Sequence, residues 1–361
     1  RVAHHEFLDT HGYTASSLTP FVQSYFQMVA GNRDDYLRFV DGGLGAHKEA
    51  RTYKRNTLGR AMCRSISERH LGIWLFGQVE HAMKGRMPHG LAHLHIDRVK
   101  GNAPDYISVQ SRRTPVFVEA KGHKKAHGLG TDKWDAWKAQ ISENVAVKWG
   151  RTQVSVKGFV VATRLLEASE SPAPSRGHPD VRILDPRSPG EELADDEFPL
   201  RFRAVTVAHH YASVLSCLRL PEIAALVRSG EPNGELLGVE LPIWKCTTPP
   251  YEGDEFAGFP FPRVGRNPLL LHYKWPGPTN SLRLFSQFKG ADWAIFALHK
   301  QRVQALQSVI RFGVEEALQG RILLEPLQTE PIEASGLSVI GDGTALGSTE
   351  YFELTDETVT L

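Results

Sequence analysis

The chain is poor in cysteine, with three in 361 residues, and Cys63, Cys217 and Cys246 stand far apart with no metal-type spacing. So few sulfurs exclude a disulfide scaffold, and all three are expected as buried free thiols in a reducing compartment. Long apolar runs are also missing. The richest, residues 158–162, has the length of a strand, against the roughly 20 residues a membrane span needs. The opening Arg-Val-Ala-His-His-Glu has no apolar signal region. No internal repeat is found, and neither sign of charge dominates: 42 Lys+Arg against 41 Asp+Glu leaves a net charge of +1. What remains is ordinary for a folded chain, 41% hydrophobic and 23% charged. The length suits two cores better than one. The expectation is a soluble, cytoplasmic protein with no membrane partner.

Local charge is less even. Residues 98–164 hold 13 Lys/Arg and 5 Asp/Glu, net +8, whereas residues 165–200 hold 9 Asp/Glu and 3 Arg with six prolines. The first stretch is either an electrostatic footprint for phosphates or a solvated helix face. The second reads as an acidic, proline-rich linker or long loop.

Hydrophobic spacing predicts a helix over 57–83, interrupted near Gly72, then strands at 91–99, 105–109 and 116–121, a helix at 132–148 and a strand at 156–164. The order is α-β-β-β-α-β. A strand at 202–207, a helix over 210–228, an irregular aromatic stretch at 242–278 and a helix over 291–318 follow, with short strands around the turn Gly341-Asp342-Gly343. Four parts result: residues 1–56 packing on the core, the core at 57–165, the linker at 166–200, and an α+β C-terminal module at 201–361.

The chemistry concentrates in Pro104-Asp105 and Glu119-Ala120-Lys121. Along strand 116–121 side chains alternate, so Val116, Val118 and Ala120 face one way and Phe117, Glu119 and Lys121 the other. A five-residue connection over 110–114 pairs Asp105 directly with Glu119, with Cβ atoms roughly 5 Å apart. One residue fewer would send Asp105 to the opposite face. Two carboxylates that close call for a cation, and an all-oxygen donor set suits Mg²⁺ or Mn²⁺. A lysine beside such a cation suits phosphodiester hydrolysis. Glu119-x-Lys121 is the only acidic-x-Lys triplet in the chain.

The order α-β-β-β-α-β with P-D…E-x-K on the second and third strands resembles the PD-(D/E)xK nuclease superfamily, over about residues 57–165. The resemblance implies an α/β, restriction-endonuclease-like core, a mixed sheet flanked by helices. It implies Asp105 and Glu119 as metal ligands, Lys121 as the catalytic lysine, and Mg²⁺ (or Mn²⁺) as cofactor. A helix glutamate facing the metal would be Glu80, with Glu68 as the other candidate. Gln140 matches a helix glutamine of RecB-type members, although the tyrosine expected four residues on is Asn144. The loop after Lys121 supplies phosphate contacts through His123, Lys124, Lys125 and His127, with Lys133 beyond it.

Taken together, these readings lead to a Mg/Mn-dependent endodeoxyribonuclease acting on DNA, in a restriction or antiviral-defence system or a partner-directed complex. A protein partner on the C-terminal module and a homodimer both stay open. The alternative is a non-catalytic nucleic-acid or protein interaction module on the same scaffold. A third reading is a zinc hydrolase built on His93, His95 and Asp97, which lacks the following histidine because position 98 is Arg. His209-His210 reads as a cap or core pair. In the C-terminal half, aromatics from Tyr251 to Trp293 among Arg263, Arg266, Lys274 and Arg283 could clamp nucleic acid or fill a packed module.

Overall fold

A computed structural model describes residues 2–10, 38–84, 87–91, 93–110, 114–124, 131–170, 179–185, 197–262, 293–315, 322–327 and 337–361. The chain divides into two compact units, one holding the described residues up to 210 and the other those from 211 onward. Among the described residues no helix is long and apolar enough to cross a membrane.

The first unit runs α1 Val2–Thr10, α2 Lys48–Leu71, β1 Phe76–Gln78, α3 Val79–Lys84, β2 Leu94–Arg98, β3 Tyr106–Gln110, β4 Thr114–His123, α4 Asp132–Ser142, β5 Val145–Trp149, β6 Thr152–Val154, β7 Lys157–Arg164 and β8 Val181–Leu184. It ends within α5 Glu197–Cys217. This is a mixed α/β unit whose central sheet has the order β1-β3-β4-β7-β8. The β4–β7 pair is parallel and the others antiparallel. A parallel pair requires a crossover, and α4 lies in it. β4 and β7 are buried on both faces and accordingly read as near-continuous apolar runs.

On one face of the sheet Val116, Val118 and Ala120 of β4 join Tyr106, Phe159, Val161, Phe76 and Cys63 of α2 in one buried cluster. On the other, Phe117 meets Phe202 of α5 with ring centroids 6.1 Å apart. The alternation expected along this strand is therefore observed. α2 crosses β4 at a glycine pair: a Cβ on Gly122 would fall on the Arg55 carbonyl, and one on Gly59 would collide with the backbone of Lys121 and Gly122. α2 itself ends at Gly72 in the left-handed region, φ 65°, with a backbone bond back to Ser67.

Several elements differ from the sequence expectation. The first sheet strand is 76–78, which the helical spacing over 57–83 had absorbed. The expected first strand survives as β2, but it pairs with β5 in a separate three-stranded sheet, β2-β5-β6. The helix expected to reach 148 stops at Ser142, and Val145 opens β5. Val181–Leu184, within the expected linker, pairs with β7 as the sheet's edge strand. Residues 202–207 lie inside α5, where Phe202, Val205 and Val207 are all buried. A helix buried on all sides loses the 3.6-residue pattern and reads as a strand.

The second unit contains α6 Pro221–Ser229, β9 Glu240–Cys246, β10 Glu255–Pro262, β11 Trp293–His299, α7 Lys300–Phe312, β12 Leu337–Val339, β13 Thr344–Ser348 and β14 Phe352–Thr360. Its sheet is antiparallel, in the order β12-β13-β11-β10-β9-β14. The stretch expected as irregular from 242 supplies β9 and β10, and the first part of the helix expected over 291–318 is the buried strand β11. Tyr251, Phe256 and Phe261 are buried, as a packed module requires. Arg263, Arg266, Tyr273, Lys274, Trp275 and Arg283 lie outside the described residues. The turn at Gly341-Asp342-Gly343 joins β12 to β13, and Asp342 accepts from the Thr344 amide at 2.8 Å. Cys63, Cys217 and Cys246 are free and buried.

Candidate metal-dependent active site

The site forms where β3 begins and β4 ends, beside the carboxyl end of β7, the edge at which open α/β sheets bind ligands. Tyr106 pairs with Val118 and Gln110 with Thr114. Extending that register by one residue sets Asp105 against Glu119. Asp105 stands just outside β3 and is tied to β4 by reciprocal bonds. Its amide donates to Glu119 Oε2 at 3.1 Å, and its Oδ2 accepts from the Ala120 amide at 2.9 Å. Its carbonyl also accepts from the Val79 amide at 3.1 Å, which anchors the start of α3. The Glu119 side chain is buried, with Lys121 Nζ on its Oε1, and the lysine side chain keeps 26% exposure.

Burial raises Asp105 above the ordinary carboxylate range, against the pull of Lys121, the Ala120 amide and Arg60. Glu119 is lifted well above its ordinary value, first by burial and then by the charge of Asp105, with Lys121 opposing. Burial also pushes the Cys63 thiol well up, and Asp105 adds to the effect. Each carboxylate commits one oxygen to a backbone amide. The two carboxyl groups also meet each other side chain to side chain, and Lys121 pairs with Glu119 Oε1.

This donor set fits a hard divalent cation. Mg²⁺ commonly binds through one or two carboxylates, with waters and a substrate phosphate completing its shell. Zinc asks for three or four nitrogen, sulfur or carboxylate ligands, and no group of three His, Cys, Asp or Glu gathers among the described residues. His93 packs its ring on Trp149 and Asp97 pairs with Lys148 at 3.0 Å. The zinc reading therefore has no site among the described residues.

Other expected residues are placed elsewhere. Glu80 does not join the carboxylate pair: on α3 its side chain is half exposed and accepts from Arg98 Nη2 at 2.7 Å. Glu68 is held by the buried His5 ring at 2.8 Å. Gln140 is buried on α4, and no hydrogen bond ties it to Asp105, Glu119 or Lys121. His123 ends β4 with its ring 5.9 Å from that of Trp137, and the Lys124 carbonyl accepts from Arg164 Nε at 3.0 Å. Lys133 is exposed on the first turn of α4. Lys125 and His127 lie outside the described residues. His209 and His210 are core residues, and His210 Nδ1 accepts from the Phe76 amide at 3.0 Å.

The sequence reading missed the buried group behind the site. Asp9 of α1 accepts from Tyr106 Oη at 2.5 Å and from Arg60 Nε at 2.7 Å, with Arg64 Nη1 3.7 Å away. Arg64 is buried over the Phe76 ring, 5.0 Å from its centroid. The available signal was Arg60 and Arg64 at i and i+4, flanking Ala61, Met62 and Cys63 in the sequence, where a charge that becomes buried needs a partner. A search of family models, of curated proteins and of solved structures finds no match to this chain.

Proposed function

We propose that the first unit is a Mg²⁺- or Mn²⁺-dependent nuclease that hydrolyses phosphodiester bonds in DNA, on a core of the restriction-endonuclease kind. One observation carries the reading: strand register and reciprocal backbone bonds lock Asp105 against Glu119, and Lys121 pairs with Glu119. Two facing carboxylates, Glu119 buried and Asp105 partly so, both raised above their ordinary values, are costly unless a cation joins them. When bound, that cation supplies charge neutralisation at the scissile phosphate and acidifies a water. Asp105 and Glu119 are the residues that would hold it. Lys121 Nζ, paired with Glu119 and partly exposed, is the cation placed to meet the phosphate or to orient the attacking water. Hydrolysis forms one phosphorus–oxygen bond to water and breaks one to the leaving sugar oxygen, which takes the proton. His123, Lys124 and Lys133 remain candidates for phosphate contact at this end of the unit.

The test is cleavage of supercoiled plasmid and labelled oligonucleotides with EDTA, Mg²⁺, Mn²⁺ or Zn²⁺, using wild type, Asp105→Asn and Lys121→Ala. Divalent-dependent cutting lost in both variants is the expected result. Titration calorimetry with Mn²⁺ runs alongside. A wild-type chain that neither cuts nor binds Mn²⁺ overturns the proposal and leaves a non-catalytic interaction module.

A further inference from the structure

Residues 48–64, which open α2, carry six Lys/Arg and one Asp/Glu in a chain of net charge +1. At 3.6 residues per turn, Tyr53, Asn56 and Arg60, spaced by three and four, fall on one side of the helix. All three reach solvent: Tyr53 is 62% exposed, Asn56 is exposed, and the Arg60 side chain keeps 34%. One end of this stripe meets the carboxylate site. Gly59, beside Arg60, lies on the backbone of Lys121 and Gly122, and the charge of Arg60 reaches Asp105. Asp9 holds the guanidinium from behind through Nε, while its terminal nitrogens take no hydrogen bond among the described residues. Burial alone would lower Arg60, but the charges of Asp9, Tyr106 and Asp105 raise it above its ordinary value, so it stays cationic throughout the working range.

We propose, resting on the hydrolytic reading above, that the stripe Tyr53–Asn56–Arg60 guides the substrate strand into the site, and that the substrate is single-stranded DNA or the splayed end of a duplex. Arg60 takes the phosphate next to the one being cut, and Asn56 bonds the strand between. Tyr53 stacks a base, which requires that the base be out of a duplex. Seven residues of helix span about 10.5 Å, so Tyr53 meets a base a short way along the strand from the phosphate on Arg60.

Fluorescence anisotropy with a labelled single-stranded DNA oligonucleotide and the same sequence as a blunt duplex tests this in EDTA, where no cutting interferes. The wild-type chain is expected to bind the single strand more tightly than the duplex. Tyr53→Ala should weaken single-strand binding about tenfold and leave duplex binding unchanged. Arg60→Gln should weaken both and lower the salt slope by about one. Arg60→Lys, which keeps the charge beside Asp9, should restore most of the binding, so that a loss through misfolding is recognised. Equal affinity of Tyr53→Ala and wild type for the single strand, or no binding of DNA by wild type, overturns the proposal. If Tyr53→Ala binds as wild type while Asp105→Asn abolishes cutting, the nuclease stands and the strand path falls. If single-strand binding is lost in Tyr53→Ala but no divalent-dependent cutting is found, the path stands as a binding face and hydrolysis falls.

Discussion

Replacing Glu119 by Gln is expected to stabilise the metal-free protein at pH 8 and to remove its response to Mg²⁺. Glu119 lies in register opposite Asp105, with Cβ atoms about 5 Å apart. Two unit charges at about 5 Å, in an effective dielectric of about 20, repel by about 3 kcal/mol. Lys121 offsets part of this, and its 26% exposure weakens the offset. The relief on substitution is therefore about 1–2 kcal/mol, or about 2–8 °C in melting midpoint for a unit of this size. The sign follows from the pKa directions: both carboxyls lie above their ordinary values, so the folded protein holds their protons more tightly than the unfolded chain does. Wild type accordingly loses stability as pH rises from about 4, the ordinary carboxylate range, through the raised values. Gln at 119 removes one of those titrations, so the gain is absent near pH 4 and grows with pH. Mg²⁺ reverses the ranking. At 100 times its Kd a cation stabilises wild type by about 2.7 kcal/mol, and the variant, left with one carboxylate, shows little of this. Scanning calorimetry from pH 4 to 8, in EDTA and in saturating Mg²⁺, reads both effects. Melting curves that run parallel in pH and respond equally to Mg²⁺ refute the argument that these carboxylates share a cation.

Three further outcomes follow from the same geometry. Lys121→Ala should keep Mn²⁺ binding in calorimetry and lose about 10²–10³ in cleavage rate, whereas loss of Mn²⁺ binding would make the lysine structural. Gly122→Ala drives a methyl group into the Arg55 carbonyl and should cost about 1–3 kcal/mol of stability; an unchanged melting midpoint would mean that α2 does not press on β4. The Cys63 thiol, raised by burial, should resist iodoacetamide at pH 8 in the native protein and react only on unfolding, which mass spectrometry of labelled peptides would show.

Much of the site could be read from the chain alone because it depends on local periodicity. The alternation of β4 and the length of its turn are two-residue properties, and together they set Asp105 against Glu119 before any tertiary contact is known. Strands β3, β4 and β7 are apolar runs bounded by glycine, proline and charge, and they stand close to where the pattern placed them. The helical start of α4 follows in the same way from its apolar spacing, and the hairpin at Gly341-Asp342-Gly343 from turn chemistry.

Only the tertiary structure decided the rest. β1 is three residues long and β11 is buried on both sides, so neither shows an alternation to set it apart from helix; partner strands define them. α5 lost its amphipathic signature because residues 204–212 are buried without a break. Glu80 and Glu68 sit on helices at plausible spacings, yet Arg98 claims the first and His5 the second, from positions that periodicity does not address. The group Asp9–Tyr106–Arg60–Arg64 joins α1, α2 and β3 across as many as 97 residues of chain. A local pattern carries no information about which buried charge answers another at that distance. The chain specifies which residues share a face, and packing alone selects their partners, because a desolvated charge must be matched wherever the fold brings a counter-charge within reach.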